Sequence, residues 1–289
     1  MLIEIILSLT IGTLFGIITG LTPGIHINLI GIIIVSSSFT FLTRINPIYL
    51  ALFIVAMSIT HTFIDFIPSL FLGCPDTTTE LSILPGHQML KEGRGLEALE
   101  LTRQGCLTGA FVLLILALPL VIILQEIYST ISKIIPFLLI LILLIMILTE
   151  EQKIKALIVV ILCGSFGLIV LNSGLKEPLT PLLTGLFGSS TILFSIKEKT
   201  KIPKQNKNEE KIKKRNFLKQ IISSGIISPL CGLLPGMGSG QAAIISGEIT
   251  KTDNRGFLFS LGVTNLIVMG ISFIGIYTIQ KGRTGSAVA

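Results

Sequence analysis

Charged residues are scarce in this sequence. Only 13% of its 289 residues are Asp, Glu, Lys or Arg, whereas 51% are hydrophobic, and the mean hydropathy is +0.87. A soluble domain must cover its surface with hydrated groups, which this composition does not supply. The scarcity of charge therefore excludes an ordinary soluble domain and predicts a protein whose main partner is a lipid bilayer.

Tryptophan is absent, and the four cysteines are scattered along the chain. Cys106, Cys163 and Cys231 lie in apolar runs and Cys74 lies in a polar segment, with no Cys-x-x-Cys spacing. This pattern excludes a disulfide framework and a zinc site, and we predict neither a metal nor a cofactor. Without tryptophan, the aromatic belts at the membrane surfaces must rely on Phe and Tyr.

Long apolar runs are abundant. They fall at about 2–19, 27–43, 47–72, 105–125, 134–149, 155–172, 178–196, 220–247 and 257–280. In lipid they must be helices, because every backbone polar group needs an internal partner, and they lack the alternation of a membrane β-barrel. The first run carries Glu4 instead of a basic flank, so we expect a retained helix and not a cleaved signal. The predicted fold class is an all-α polytopic membrane protein.

Two polar segments interrupt these runs, at 73–105 and at 197–216. The second has nine Lys and Arg residues against three Glu, which supplies essentially all of the net charge of +6. As a plain linker it is solvated, and its cationic excess also predicts a cytoplasmic location. No nucleic-acid partner is needed to explain that charge. The predicted organisation is a first membrane repeat at 1–196 with a loop at 73–105, a cytoplasmic linker at 197–219, and the start of a second repeat at 220–289.

The motif Gly-Leu-x-Pro-Gly occurs twice inside apolar runs, as GLTPG at 20–24 and as GLLPG at 232–236. Proline removes a backbone donor and glycine relaxes the backbone, so each motif predicts a helix that stops and restarts. Chance is the alternative explanation for such common residues. The two copies hold similar positions in their halves, which favours duplication. We therefore predict two related halves, arranged as an inverted repeat with broken or re-entrant helices.

A helix broken at membrane depth exposes backbone groups that protein or a water-filled cavity must receive, and the restarting helix aims its positive end at that place. This arrangement suits an anion. The predicted solute-binding residues are Gly20, Pro23, Gly24, His26 and Asn28 at the first break, and Pro235, Gly236, Gly238, Ser239 and Gln241 at the second. The alternatives are a proline kink that serves packing alone and, for His26, an ordinary buried imidazole.

His61 and Asp65 form a third candidate. They are four residues apart, so on a helix they share a face and can pair. Ionisable residues within membrane segments indicate function, including proton relay. The alternative is that Asp65 lies at the end of its helix, just before Pro68, and is simply hydrated. Under the first interpretation the pair couples transport to an ion.

At three places the chain resembles the large membrane subunit of tripartite tricarboxylate transporters, the TctA family, including shorter archaeal relatives of unknown substrate. Its first Gly-x-x-Pro-Gly motif is similar to 20–24, and its second-half Pro-Gly-x-Gly-x-x-x-Ala-Ala is similar to 235–243. Its signature loop resembles GCPD at 73–76 and PGHQMLKEG at 85–93, which selects Pro75, Asp76, Gly86, Met89, Lys91 and Gly93. Asp65 and Asp76 stand where the family has glycine. Either a cation neutralises the added charge or the substrate differs.

The resemblance implies an integral membrane permease or secondary transporter for a small organic anion of the carboxylate class, acting in the cytoplasmic membrane. It further implies coupling to H⁺ or Na⁺, a small membrane subunit and an extracytoplasmic binding protein. We expect no enzyme; the alternative is an intramembrane enzyme using His61 and Asp65, around which no recognisable catalytic motif occurs. Because the family continues beyond the segment at 280–289, we expect the second repeat to be truncated. A short native C-terminus is the alternative.

Overall fold

A computed structural model of the chain describes residues 1–25, 27–36, 45–73, 79, 83–174, 203–205, 217–282, 284 and 287. Contacts divide the chain into one unit formed by Met1–Ser129 and Pro203–Ala289 and a second formed by Thr130–Ile202. The described residues are helices joined by turns. The helices are α1 (Leu2–Leu21), α2 (Ile27–Ser36), α3 (Pro47–Ile64), α4 (Phe66–Leu72), α5 (Ile83–Lys91), α6 (Gly95–Thr149), α7 (Lys153–Leu171), α8 (Leu218–Leu233), α9 (Ser239–Thr250) and α10 (Asn254–Ile279).

Five stretches of the described chain are long and apolar enough to cross a membrane. They are Leu2–Leu21, Pro47–Leu72, Gly95–Thr130, Lys153–Leu171 and Asn254–Ile279. The all-helical membrane class is thereby confirmed. Two sequence boundaries were wrong: residues 126–133, expected to connect two apolar runs, are helical, and the loop expected at 73–105 contains α5 and the start of α6. The predicted run at 178–196 lies outside the described residues.

Small residues at every fourth position of α1 bring it against α3. Gly12 faces Phe53, and a Cβ atom at Gly20 would lie 2.7 Å from the Ile64 Cβ. Such spacing lets two membrane helices approach closely. Because these contacts advance along both helices together, α1 and α3 run in the same direction.

The packing of α8 on α10 repeats this pattern. Gln220, early in α8, donates a hydrogen bond to Thr252 just before α10 (3.2 Å), and a Cβ atom at Gly232 would lie 3.1 Å from Ile271. Contacts again advance along both helices, so α8 and α10 also run in the same direction. α9 packs against both of them.

α10 runs opposite to α3. Cys106 of α6 lies close to both helices. Its thiol donates to the carbonyl of Thr62 in α3 (3.7 Å), and its backbone nitrogen would lie 3.0 Å from a Cβ atom at Gly262 in α10. Thr62 and Gly262 therefore lie at the same height in the bundle. Earlier in α3, Met57 packs in a cluster with Met269, which lies later in α10. Contacts nearer the start of α3 are thus made by residues nearer the end of α10, so the two helices are antiparallel.

One end of this bundle gathers the end of α4 and the start of α10. Gly73, just after α4, lies against His87 of α5, and the Asn254 amide donates to Gln88 (2.9 Å). The described part of the basic linker lies here too. The Gln205 side chain accepts from the N–H of Gly95 (2.7 Å) and donates to the carbonyl of Leu90 (3.1 Å). We call this the linker end.

In the second unit, α7 has no buried residue. Its glycines Gly164 and Gly167 have open space beside them.

Candidate functional site

Both Gly-Leu-x-Pro-Gly motifs end a helix with the same backbone turn. Thr22 follows α1 with φ −101° and ψ 102°, and Leu234 follows α8 with φ −82° and ψ 127°, both extended. The Thr22 carbonyl accepts from the N–H of Ile25 (3.2 Å), and the Leu234 carbonyl accepts from the N–H of Met237 (3.3 Å). Each proline and the residue after it therefore occupy the two centre positions of a four-residue turn.

The glycine of each turn requires a left-handed backbone. Gly24 has φ 88° and Gly236 has φ 77°. Proline at the second position and a positive φ at the third define a type II β-turn, which glycine accepts without strain. A Cβ atom at either glycine would meet no heavy atom within 4 Å. Backbone conformation therefore requires glycine here.

The turns are exposed, whereas the helices that follow them begin in the interior. Ile27, the first residue of α2, is 0% exposed, and Ser239, the first residue of α9, is 2% exposed. The two helix starts, unlike the exposed Pro-Gly tips, are therefore enclosed by protein.

Both helix starts meet α10 near its middle. The midpoint of α10 lies between residues 266 and 267. The Thr264 hydroxyl donates to the Ser239 carbonyl (3.0 Å). Ile27 packs in the cluster that holds Met269 and Met57. Two helix N-termini thus approach the same stretch of α10 from either side of its midpoint. We call this stretch, with the two helix starts, the central cluster.

The other residues predicted at the breaks have diverse settings. Gly20 is buried and serves the packing of α1 on α3. Asn28 is half-buried in the first turn of α2. The Gln241 side-chain oxygen accepts a hydrogen bond from the N–H of Gly238, the N-cap residue of α9 (2.7 Å). This bond is one half of a capping box and stabilises the start of α9. His26 lies outside the described residues.

His61 and Asp65 are both buried, at 4% and 3% exposure. The Nδ1 atom of His61 lies 3.0 Å from the hydroxyl of Thr19 in α1. The N–H of Asp65 donates to the His61 carbonyl (2.9 Å) at the junction of α3 and α4, and the Asp65 carboxyl interacts electrostatically with Cys106 of α6. The alternative of a simply hydrated helix end does not fit this burial.

The described signature-loop residues pack α5 at the linker end. A Cβ atom at Gly86 would collide with Leu70 of α4, and Met89 is 2% exposed. Gly93, with φ 78°, follows α5, and Lys91 is exposed. Pro75 and Asp76 lie outside the described residues. In the part of the chain that the structure describes, these loop residues are remote from the central cluster.

Of the buried polar residues that sequence reasoning missed, two have an unpaired polar atom and lie next to residues that contact the two helix starts. Asn265 in α10 is 1% exposed, and its Nδ2 atom has no hydrogen-bond partner; Ser58 in α3 is 0% exposed, and the same holds for its hydroxyl. Ser58 follows Met57, which packs with Ile27 and Met269, and Asn265 follows Thr264. The only sequence signal was a polar residue inside an apolar run, which many packed helices share.

A depression of about 490 Å³ opens elsewhere, at the turn between α9 and α10. Its lining includes Glu248, Lys251 and Phe257. We place the candidate site at the central cluster instead, because helix starts and buried polar groups meet there.

Several long apolar helices define a multi-pass membrane protein. The model of the tripartite tricarboxylate transporter TctA family matches residues 6–289, and the chain belongs to this family. The resemblance drawn from three motifs is thereby confirmed. An uncharacterized protein of Methanocaldococcus jannaschii is 33% identical over 292 aligned positions, covering 98% of this chain and 72% of that protein. No solved structure matches the chain.

Proposed function

We propose that this chain is a permease or secondary transporter that moves a small organic anion of the carboxylate class across the cytoplasmic membrane. The observation that carries the proposal is the central cluster, where α2 and α9 begin beside the middle of α10. Each helix start presents the positive end of a helix dipole. Such ends bind carboxylates and phosphates without needing a charged side chain.

We further propose that the two halves form an inverted repeat. In support, α1 runs with α3 and α8 runs with α10, whereas α3 and α10 run oppositely. The helices that follow the breaks are held in related ways: Ile27 packs with Met57 of α3, and Ser239 bonds to Thr264 of α10. Rocking of one repeat against the other around a fixed central site is the usual means of alternating access in such folds.

His61 and Asp65 are our candidates for coupling to H⁺ or Na⁺. His61 lies on the face of α3 that meets α1, with Thr19 as its neighbour, and Asp65 follows at the end of α3, near Cys106 of α6. A buried carboxyl must either be neutral or have a compensating partner, so ion binding and release can be tied to helix movement. This role is proposed for transport and not for catalysis.

The partners follow from the family. Its description is of a tripartite system, which supports a small membrane subunit and an extracytoplasmic binding protein as components. The basic linker at 197–219 supports a cytoplasmic location for the linker end, because Lys and Arg concentrate on that side. Asp65 and Asp76 support a substrate other than a plain tricarboxylate.

Uptake into liposomes tests the proposal. Purified protein is reconstituted, and accumulation of labelled acetate, succinate and citrate is followed under an inward proton or sodium gradient. We expect accumulation of at least one carboxylate above protein-free vesicles. Accumulation of none, with and without the partner subunits, would contradict the proposed function, and chemical conversion of the anion without accumulation would indicate an enzyme.

A further inference from the structure

The side-chain amide of Asn265 is buried and unpaired, which packing alone does not explain. It lies in the middle of a membrane-spanning helix, at 1% exposure, and its Nδ2 atom has no hydrogen-bond partner. A buried amide donor without an acceptor costs free energy, which an apolar side chain of similar size would avoid. Native proteins rarely hold such groups without a reason, and a missing ligand is one such reason.

The position of Asn265 supplies that reason. Thr264, the residue before Asn265, donates a hydrogen bond to the Ser239 carbonyl at the start of α9. Met269 lies one turn after Asn265 on the same face of α10 and packs with Ile27 at the start of α2. Asn265 therefore lies between the two helix starts along α10. The Asn265 amide donor is thus placed beside two helix N-termini.

The chemistry of these groups selects the ligand. An Nδ2 atom can only donate, and so can the backbone N–H groups at a helix start. Both helix dipoles present their positive ends, which disfavours a cation and favours oxygen acceptors that carry negative charge. Ser58, adjacent to Met57 in α3, adds a second buried polar group without a hydrogen-bond partner, here a hydroxyl.

We infer that the Asn265 amide donates a hydrogen bond to a carboxylate of the transported anion, between the starts of α2 and α9. The inference rests on the proposed function. It makes Asn265 a specificity residue: ligands that present a carboxylate oxygen pair the amide, and ligands that lack one leave it unpaired.

Binding is measured first, because it does not require transport. The melting temperature of the full chain in detergent is recorded with increasing acetate, succinate or citrate, for wild type, Asn265→Leu and Asn265→Asp. Asn265→Leu removes the donor at similar size, and Asn265→Asp replaces it with an acceptor that repels an anion when ionised. Ser260→Ala is the matched control. It removes a hydroxyl on the same helix that is likewise buried, at 0% exposure, and without a hydrogen-bond partner, more than one turn before Asn265.

We expect a carboxylate to raise the melting temperature of wild type and of Ser260→Ala. For both Asn265 variants, the concentration that gives half of this rise should increase at least about tenfold, because a hydrogen bond to a charged group is lost. Without added anion, Asn265→Leu should melt no lower than wild type, which separates a ligand role from a structural one. If Asn265→Leu fails to fold, Asn265→Asp decides.

Two results overturn the inference: an unchanged anion response in the Asn265 variants, or no response of wild type to any of the three anions. Uptake in liposomes then distinguishes the two proposals. An anion response that depends on Asn265, without uptake by wild type, would contradict transport and leave the binding site in place. Uptake by Asn265→Leu with unchanged half-saturation would contradict the binding site and leave transport in place.

Discussion

Gly24 and Gly236 are constrained by their backbone and not by their neighbours. Both have positive φ, and a Cβ atom at either would meet open space. Replacement by alanine should therefore add strain of about 1–2 kcal/mol at each turn without any collision. We expect Gly24→Ala and Gly236→Ala to lower the melting temperature in detergent and to reduce uptake, because the helix starts that follow are displaced.

Gly164→Ala is the control for both variants. Gly164 also has open space beside it, but it lies within α7 and has no positive φ. Alanine there should be neutral or stabilise by about 0.5–1 kcal/mol. Equal effects of the three substitutions would show that the type II turns do not constrain the protein.

Asp65 is predicted to couple transport to the ion gradient. Asp65→Asn keeps the size of the side chain but removes its ionisation, so gradient-driven uptake should lose its dependence on pH or sodium. Exchange of labelled anion between equilibrated compartments should persist, because the central cluster is untouched. Asp76→Asn is the comparison and should alter substrate affinity more than coupling. Unchanged gradient-driven uptake by Asp65→Asn would make the carboxyl structural.

Residue chemistry explains which parts of the site could be found without coordinates. A proline–glycine pair acts on its own turn, so both breaks were visible in the sequence. Thr19, the neighbour of His61, comes from a different helix 42 positions earlier, and nothing local marks it. Asn265 is recognisable only once its burial and its unpaired Nδ2 atom are known. Local rules therefore predicted the turns, and long-range packing decided the contacts.

The same distinction holds for the helices. Apolar length predicted runs at 2–19, 47–72 and 257–280, close to the observed spans, because hydrophobic thickness is a property of one segment. The continuity of α6 through 126–133 was missed because most of those residues are polar, although they include neither glycine nor proline. The packing of α5 beneath α4 was also missed, because α5 is short and mixed in character. Polar helices are identified by their neighbours more than by their composition.

α5 makes the stability of the linker end sensitive to acid. Its His87 lies against Gly73, and burial, aided by the nearby charge of Lys91, lowers the pKa of this imidazole below its usual 6.5. The unfolded chain therefore binds the proton more readily than the folded one. The free energy of unfolding therefore decreases as the pH falls below about 6.5, the ordinary pKa of the imidazole, and increases again as the pH is raised.

We expect the melting temperature of His87→Asn to fall less than that of wild type between pH 7.5 and pH 5. Lys91→Gln removes the neighbouring charge but leaves the burial, so its acid sensitivity should be intermediate. Differences between variants are the measured quantity, because other groups titrate in the same range. Parallel pH profiles for wild type and His87→Asn would exclude a role for this imidazole.

The whole bundle makes a prediction about sidedness. Gln205 bonds to both ends of the turn between α5 and α6, so Glu92 and the linker must lie on the same side of the membrane. Because α3 runs away from Ile45 toward that end, Ile45 must lie on the opposite side. With the linker cytoplasmic, we expect an impermeant thiol reagent to label Ile45→Cys in intact cells.

Cysteines at Glu92 and Asn206 should resist the reagent in intact cells and react in inverted vesicles. The native cysteines are replaced by serine or alanine beforehand. Labelling of Asn206→Cys from outside would reverse the whole orientation. Labelling of Glu92→Cys and Asn206→Cys from different sides would contradict the Gln205 contact itself.

α10 is almost wholly enclosed by protein, because 78% of the residues in its 18-residue apolar stretch are buried. It contacts α3, α5, α8 and α9, and it lies against the glycine face of α6 at Gly105 and Gly109. On the ribosome it is also the last of the described helices to be made. Until it arrives, α6 and α3 must present bare backbone and hydroxyl groups to lipid, which packs poorly against them. We therefore expect a chain that lacks α10 to be a target for membrane proteases, and insertion of α10 to be the step that commits this bundle to its folded form.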